Sequence, residues 1–189
     1  LMNLFSNTFS KYRLNISQIL LTLEDTEERR RSLNAKRTFQ NLFDLNFIPI
    51  VNENDTIATS EIKYGDNDRL ASRVAQITNA DTLVLLSDVD GLYTKNPKKN
   101  NSAKLIHYIK KITKSIEKSS ENTSSTISVG GMTTKLKAAK ISLAAGCSMF
   151  ITKGDKIKPI SSIFKEKKFT LFSTTKSPKS ARKKWISSQ

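Results

Sequence analysis

The stretch TLVLLS, residues 82–87, indicates the fold more directly than any other part of the sequence. It is apolar from Leu83 to Leu86, and such a strand is typical of a parallel sheet covered on both faces. The next residues, Ser87-Asp88-Val89-Asp90-Gly91, are polar and include a glycine. They form either a simple strand-ending turn or a rim that faces a nucleotide or a metal, and the local pattern leaves both readings open.

Strand and helix patterns alternate on both sides of this stretch. Further apolar segments predict strands at ISQILLT (16–22), FIPIV (47–51), SMFIT (148–152) and FTLFS (169–173). Periodic apolar residues predict helices at 2–12, 25–45, 67–79, 111–118 and 132–145. The alternation predicts an α/β domain with a mainly parallel sheet, in which ligands bind beyond the carboxyl ends of the strands.

Local signals refine three of these elements. Asp25 followed by Glu28 predicts a capping box that opens the second helix. Pro49 places the strand FIPIV at a sheet edge or strand end, because proline has no N–H to donate. Gly146 is expected to end the helix that begins at residue 132. The predicted apolar sides consist of Leu33, Phe39, Leu42 and Phe43 in the second helix, Leu70, Val74 and Ile77 in the third, and Met132, Leu136, Ala139 and Leu143 in the last.

The 189 residues carry 32 Lys and Arg against 17 Asp and Glu, a net charge of +15. Residues 1–91 hold 10 basic and 13 acidic residues, net −3, so residues 92–189 carry 22 and 4, net +18. A basic half suggests that the protein binds a polyanion such as nucleotide phosphate, nucleic acid or a membrane surface. The alternative is a compositional bias toward lysine on solvated faces.

The remaining composition excludes several classes of protein. No apolar run approaches the ~18 residues of a membrane span, and the first residues do not resemble a signal peptide. Cys147 is the single cysteine, which with the absence of a secretion signal leads us to expect a reducing, cytoplasmic setting. We interpret Cys147 and the lone His107 as structural, because no His–Cys cluster is present to hold zinc.

Two dense polar clusters follow the strand FIPIV: Asn52-Glu53-Asn54-Asp55 and Asp66-Asn67-Asp68. Amides and carboxylates together could receive a small zwitterion, or Mg²⁺ through the carboxylates. The alternative is that they cap turns and the following helix. That alternative accounts for one or two of the residues but not for the whole set.

A third polar segment, Gly130-Gly131-Met132-Thr133-Thr134-Lys135, opens the helix at 132–145. Free backbone N–H groups and the positive helix end favour phosphate there, and Lys135 adds a full charge. The pattern is not GxxxxGK[ST], which disfavours an ordinary P-loop enzyme.

Taken together, FIPIVNENDTIAT, EIKYGDNDRLA, LVLLSDVDGLYTKNP and GGMTTKLKAAKISLAAG resemble the motif series of the amino acid kinase family, in particular its glutamate kinases. The resemblance runs from near residue 15 to the end of the chain, and the NEND and GDND clusters are its specific part. It implies a three-layer αβα sandwich and transfer of the ATP γ-phosphate to the side-chain carboxylate of L-glutamate. This is the first step of proline synthesis, and it requires Mg²⁺.

The same resemblance assigns roles to individual residues. Asp55 and Asn67 match glutamate-binding positions, and Asp68 matches an aspartate that organises catalytic lysines. Ser87 and Asp88 match ATP contacts. The phosphate-binding loop and its catalytic lysine correspond to Val129, Gly130, Gly131, Met132, Thr133, Thr134 and Lys135.

By this comparison, residues 1–175 form a kinase domain that lacks its N-terminal portion, and residues 176–189 form a linker. We therefore expect residues 1–189 alone to be inactive, and the complete enzyme to be a homo-oligomer. Two alternatives remain, an inactive regulatory remnant and a nucleic-acid-binding protein. The second is disfavoured because no RNA- or DNA-binding signature is visible and few aromatic residues interleave the lysines.

Overall fold

The computed structural model describes residues 2–54, 67–97, 99–121, 131–155 and 157–178. The chain divides into two compact units, Leu1–Leu70 and Ala71–Gln189. The predicted domain boundary at residue 175 stays a prediction. The two units are described in turn.

The first unit contains one pair of parallel strands joined by helices. Its elements are α1 (Met2–Ser10), β1 (Asn15–Leu21), α2 (Leu23–Glu27), α3 (Arg29–Asp44), β2 (Phe47–Glu53) and the start of α4 (Asn67–Thr78). β1 and β2 run parallel from Asn15 opposite Phe47 to Leu21 opposite Glu53. Pro49 lies opposite Ser17, and in the described part of the chain β2 pairs with β1 alone, which confirms the predicted edge position.

The predicted capping box was wrong in its register. Thr22, not Asp25, is the N-cap, and Asp25 occupies the third helical position. The Thr22 N–H donates to the Asp25 carboxylate at 2.7 Å, while Thr22 Oγ1 accepts from the Asp25 N–H at 3.4 Å. Glu28 has an extended backbone and separates two helices, α2 and α3, where one was predicted. Thr22, three residues earlier, is the cap because its hydroxyl accepts the Asp25 N–H while the Asp25 carboxylate accepts the Thr22 N–H.

The predicted apolar side of α3 is only partly buried. Phe39 is 2% exposed, whereas Leu33 and Phe43 are each 43% exposed. The predicted apolar side of α4 is more fully buried than that of α3, because Leu70 and Ile77 are both buried.

The second unit contains a four-stranded sheet. Its remaining elements are β3 (Thr82–Ser87), β4 (Tyr108–Ile109), α5 (Lys114–Glu121), α6 (Met132–Ala144), β5 (Ser148–Lys153), α7 (Pro159–Glu166) and β6 (Thr170–Phe172). The strand order is β3-β5-β6-β4, in which β3 and β5 are parallel, β4 and β6 are parallel, and β5 and β6 are antiparallel. The predicted α/β fold with mainly parallel pairing is confirmed.

The core of this unit lies between α6 and one face of the sheet. Leu85, Met149, Ile151 and Phe172 form a buried cluster with residues of α6, and three of these four are fully buried. Leu86, which alternates with Leu85, is 50% exposed. The expectation that β3 is covered on both faces was therefore wrong at this position, since successive side chains of a strand point to opposite faces.

The helix α6 matches its prediction closely. Leu136 and Ala139 are buried, and Met132 and Leu143 pack against the core cluster. Gly146 follows the helix with φ +79°, and a Cβ there would lie 2.6 Å from the backbone carbonyl of Ser177. Only glycine fits this position. The helix α7 was not predicted, although Pro159 at its start is a known helix-opening signal.

Candidate functional site

The carboxyl ends of β3 and β5 meet at one edge of the sheet. The strands are parallel, and Ser87, the last residue of β3, lies opposite Lys153, the last residue of β5. The helix α6 ends at Ala144 and is joined to β5 by a short connection, so its N-terminus also lies toward this edge. Within the second unit, the predicted SDVDG segment and the start of α6 from Gly131 thus converge on the same edge.

The turn after β3 is fixed by a hydroxyl group of β6. Thr170 is fully buried, and its Oγ1 accepts a hydrogen bond from the Leu92 N–H at 2.8 Å. The same hydroxyl donates to the carbonyl oxygen of Ile106 at 2.7 Å. A Cβ atom at Gly91 would lie 2.9 Å from the backbone nitrogen of Thr170, which explains the glycine. No local signal in the sequence indicates this role of Thr170, which lies 78 residues from Leu92.

Ser87 and Asp88 present polar groups at the start of that turn. Ser87 Oγ donates to Asp88 Oδ1 at 2.9 Å, and Asp88 is exposed. Further along, the Tyr93 hydroxyl donates to Asp90 Oδ2 at 3.3 Å. Partial burial raises the pKa of Tyr93, and the charge of Asp90 acts in the same direction, so the phenol stays protonated and Asp90 remains the acceptor.

The turn after β5 adds a cation that the sequence analysis missed. Lys153 Nζ lies 2.7 Å from Asp155 Oδ2. The hydrogen bond to Asp155 raises the pKa of Lys153, and the negative charges of Asp155, Asp90 and Asp88 add to the effect. Gly154 N–H donates to the Ser87 carbonyl at 2.8 Å, and a Cβ at Gly154 would lie 3.0 Å from Leu86 Cβ. The turns after β3 and β5 are therefore in direct backbone contact.

The first turn of α6 is suited to an anion. Gly131 is the N-cap and supplies no side-chain hydrogen bond, and the first N–H groups of a helix have no acceptor within the helix, which favours an anion there. Thr134 Oγ1 donates to the Gly131 carbonyl at 2.7 Å. Lys135 is 7% exposed and shares the buried side of the helix with Ala138 and Ala139. Of the charged side chains in the described ranges, it is the one that is buried, so it is not a surface lysine.

The remaining predicted site residues fall in the first unit or outside the described residues. Asn52 and Glu53 end β2, Asn67 and Asp68 open α4, and Asp68 is a first-turn acid of that helix. Asp68 has an interaction partner in the structure. This interaction is compatible with capping of α4 and with a catalytic role. The positions outside the described residues are Asp55, Asp66, Val129 and Gly130.

The two lone residues that were interpreted as structural, Cys147 and His107, both make packing contacts. Cys147 is fully buried, and burial raises the pKa of its thiol to about 11 with a smaller effect of Asp81. The His107 ring packs edge-on against Phe169 at 5.9 Å between ring centroids. Among the residues that the structure describes, no three His, Cys, Asp or Glu side chains are grouped to hold a metal ion. No described helix is both long and apolar enough to cross a membrane.

Residues 1–153 match the sequence model of the amino acid kinase family, so the chain belongs to this family. Within it, the chain is similar to glutamate 5-kinase of Pelagibacter ubique (strain HTCC1062), with 65% identity over 98% of the chain and 50% of the relative. It is also similar to glutamate 5-kinase of Bartonella henselae, with 50% identity over 97% of the chain and 48% of that relative. The chain spans about half the length of these curated relatives.

Solved structures support the fold alone. UMP kinase from Ureaplasma parvum superposes with a TM-score of 0.56 at 15% identity, covering 89% of this chain and 64% of that one. An isopentenyl phosphate kinase superposes with a TM-score of 0.56 at 16% identity, covering 91% and 66%. The α/β fold predicted for the chain is the amino acid kinase fold.

Proposed function

We propose that the enzyme to which this chain belongs transfers the γ-phosphoryl group of ATP to the side-chain carboxylate of L-glutamate, the first step of proline biosynthesis. The observation that carries this proposal is the 65% identity with a glutamate 5-kinase over 98% of the chain. The arrangement at the carboxyl edge of β3 and β5 supports it, because phosphoryl transfer needs mainly positioning and charge neutralisation.

In this proposal the first turn of α6 holds the phosphates. The N–H groups of Met132 and Thr133 and the hydroxyl of Thr133 donate to phosphate oxygens, together with residues 129–130. Lys135 stabilises the charge that develops on the transferring group, and its burial strengthens that interaction by excluding water. Ser87 and Asp88 contact the nucleotide from the neighbouring strand end.

The acceptor needs no catalytic base. A glutamate carboxylate is already ionised at neutral pH, so its oxygen can attack the γ-phosphorus directly while the bond to ADP breaks. Asp55 pairs with the substrate ammonium group, Asn67 donates to its α-carboxylate, and Asp68 organises the catalytic lysines. Mg²⁺ enters as the MgATP substrate. The enzyme acts in the cytoplasm as a homo-oligomer.

The experiment uses a completed protein, in which residues 1–189 replace the matching half of the Pelagibacter relative. MgATP is supplied with glutamate, UMP or isopentenyl phosphate, and ADP release is measured. Hydroxylamine traps an acyl phosphate as a hydroxamate. We expect ADP and hydroxamate with glutamate alone. If the completed protein folds but forms no hydroxamate, or prefers another acceptor, the proposal is wrong.

A further inference from the structure

The two adjacent turns after β3 and β5 carry Lys153 and three carboxylates, because Ser87 lies opposite Lys153 and accepts a hydrogen bond from the Gly154 N–H. Lys153 forms an ion pair with Asp155, and Asp88 and Asp90 of the turn after β3 act on it electrostatically. The Lys153 side chain is 40% exposed and that of Asp155 58% exposed. The group as a whole is solvent-accessible and carries more negative than positive charge.

This charge balance conflicts with the binding of a polyanion at the same edge. The phosphate chain of ATP carries several negative charges, and Asp88, Asp90 and Asp155 would each repel it. Lys153 offsets part of that repulsion, and without it the three carboxylates would face the nucleotide uncompensated. Electrostatic effects of this kind act over about 10 Å at about 0.1 M ionic strength, so direct contact with phosphate is not required.

We propose that Lys153 is a positioning residue for nucleotide binding, which offsets the carboxylates of the two turns and so lowers their repulsion of the ATP phosphates. The inference rests on the proposed function for the site, and adds a residue outside the motifs from which that function was derived.

A purely structural role explains the lysine less well. The two turns are already joined by the Gly154–Ser87 backbone hydrogen bond and by the parallel pairing of β3 and β5. An exposed ion pair such as Lys153–Asp155 adds little to stability, because water screens it. What the side chain contributes beyond these backbone contacts is its charge.

The test measures equilibrium binding of MgATP and of uncharged adenosine by calorimetry in the completed protein. The variants are Lys153→Met, Lys153→Arg and Asp155→Asn, with Lys140→Met as the matched control. Lys140 also pairs with a carboxylate, Glu117, but it lies in the C-terminal half of α6, away from this edge.

We expect Lys153→Met to weaken MgATP binding by about threefold to tenfold and to leave adenosine binding unchanged. Lys153→Arg should bind as the unaltered protein does, and Asp155→Asn should bind MgATP more tightly because it removes a negative charge. Raising the salt from about 0.05 M to about 0.5 M should reduce all these differences. Lys140→Met should have no effect.

A charge-balancing role and a purely structural role of the ion pair predict opposite changes in MgATP affinity for Asp155→Asn. If the pair only holds the turns together, Asp155→Asn and Lys153→Met weaken binding alike, for adenosine as much as for MgATP, and the inference is wrong. Failure of the completed protein to bind MgATP also overturns it. MgATP binding with the expected differences but without hydroxamate formation would refute the proposed function and leave this inference standing.

Discussion

Thr170 Oγ1 lies 2.8 Å from the backbone nitrogen of Leu92 and connects β6 to the turn that follows β3. The hydroxyl also donates to the Ile106 carbonyl at 2.7 Å, so one buried group satisfies a donor and an acceptor on two different segments. Leu92 and Thr170 are both fully buried. The position of the Ser87–Gly91 turn thus depends on a side chain far away in the sequence.

Replacing Thr170 by Val should destabilise the second unit by about 1–3 kcal/mol, because the Leu92 N–H and Ile106 carbonyl lose their partner in a buried setting. The KM for ATP of the completed protein should rise as well, since the turn carrying Ser87 and Asp88 is no longer held. Urea titrations and steady-state kinetics measure both effects. Thr170→Ser keeps the hydroxyl and serves as the control. If Thr170→Ser lowers stability and raises the KM for ATP as much as Thr170→Val does, the two hydrogen bonds are not the cause of these effects.

Replacing Lys135 by Ala in the completed protein should lower kcat about 10²- to 10³-fold and change the glutamate KM far less. The reason is that its charge acts chiefly on the transition state of phosphoryl transfer. Lys135→Met tests whether lost packing contributes, because Lys135 is buried. Lys140→Ala, on the exposed side of the same helix, should be neutral. An unaltered kcat in Lys135→Ala would remove this residue from the catalytic group.

Asp55 is expected to recognise the substrate ammonium group, so glutarate, which has no amine, should be a poor substrate. Asp55→Asn should reduce kcat/KM for glutamate about 10- to 150-fold and barely change the rate with glutarate, because a charge-assisted contact is lost only with glutamate. Kinetics with both compounds in both proteins measure the ratio. Equal losses on the two substrates would show that Asp55 only caps a turn.

The buried thiol of Cys147 should make the chain less stable in alkali. Its pKa is raised from 9.0 to about 11, chiefly by burial. Well below pH 9.0 the thiol is protonated in both states, whereas between 9.0 and about 11 the unfolded chain releases the proton and the folded chain retains it. Stability therefore falls as the pH rises through this window, by roughly 2–3 kcal/mol in total.

Cys147→Ala separates this effect from the titration of lysines. The difference in unfolding free energy between the unaltered chain and Cys147→Ala should shrink from about pH 8 to about pH 11 in urea titrations. A difference that stays constant with pH would mean that the thiol titrates normally. In the folded chain, alkylation of Cys147 should also be slow, since the thiolate is the reactive form.

The strands and the helix α6 could be predicted because their signals are local. The apolar segments at 82–87 and 148–152 became β3 and β5, and the periodic residues of 132–145 became α6. The predicted turn after β3 and the predicted helix start at residue 132 are both found at one sheet edge. For these elements, side-chain periodicity and glycine placement are sufficient, because both reflect backbone geometry over a few residues.

Other features depended on contacts between distant residues, and the sequence did not reveal them. The antiparallel pairing of β6 with β5, the exposure of Leu86 and the place of Lys153 opposite Ser87 follow from which strands become neighbours. The capping box was misplaced because Thr22 and Asp25 both carry suitable oxygen atoms, and only the folded backbone selects between them.

The sequence by itself determined the alternation of helices and strands, the three polar segments and the family. Tertiary structure alone decided that Lys135 is buried, that Thr170 holds the turn after β3, and that Lys153 lies opposite Ser87 at the start of that turn. The physical reason is the distance along the chain over which each property arises, because propensity and periodicity depend on neighbouring residues. Burial, hydrogen bonding and charge balance arise only when strands separated by tens of residues pair in one register.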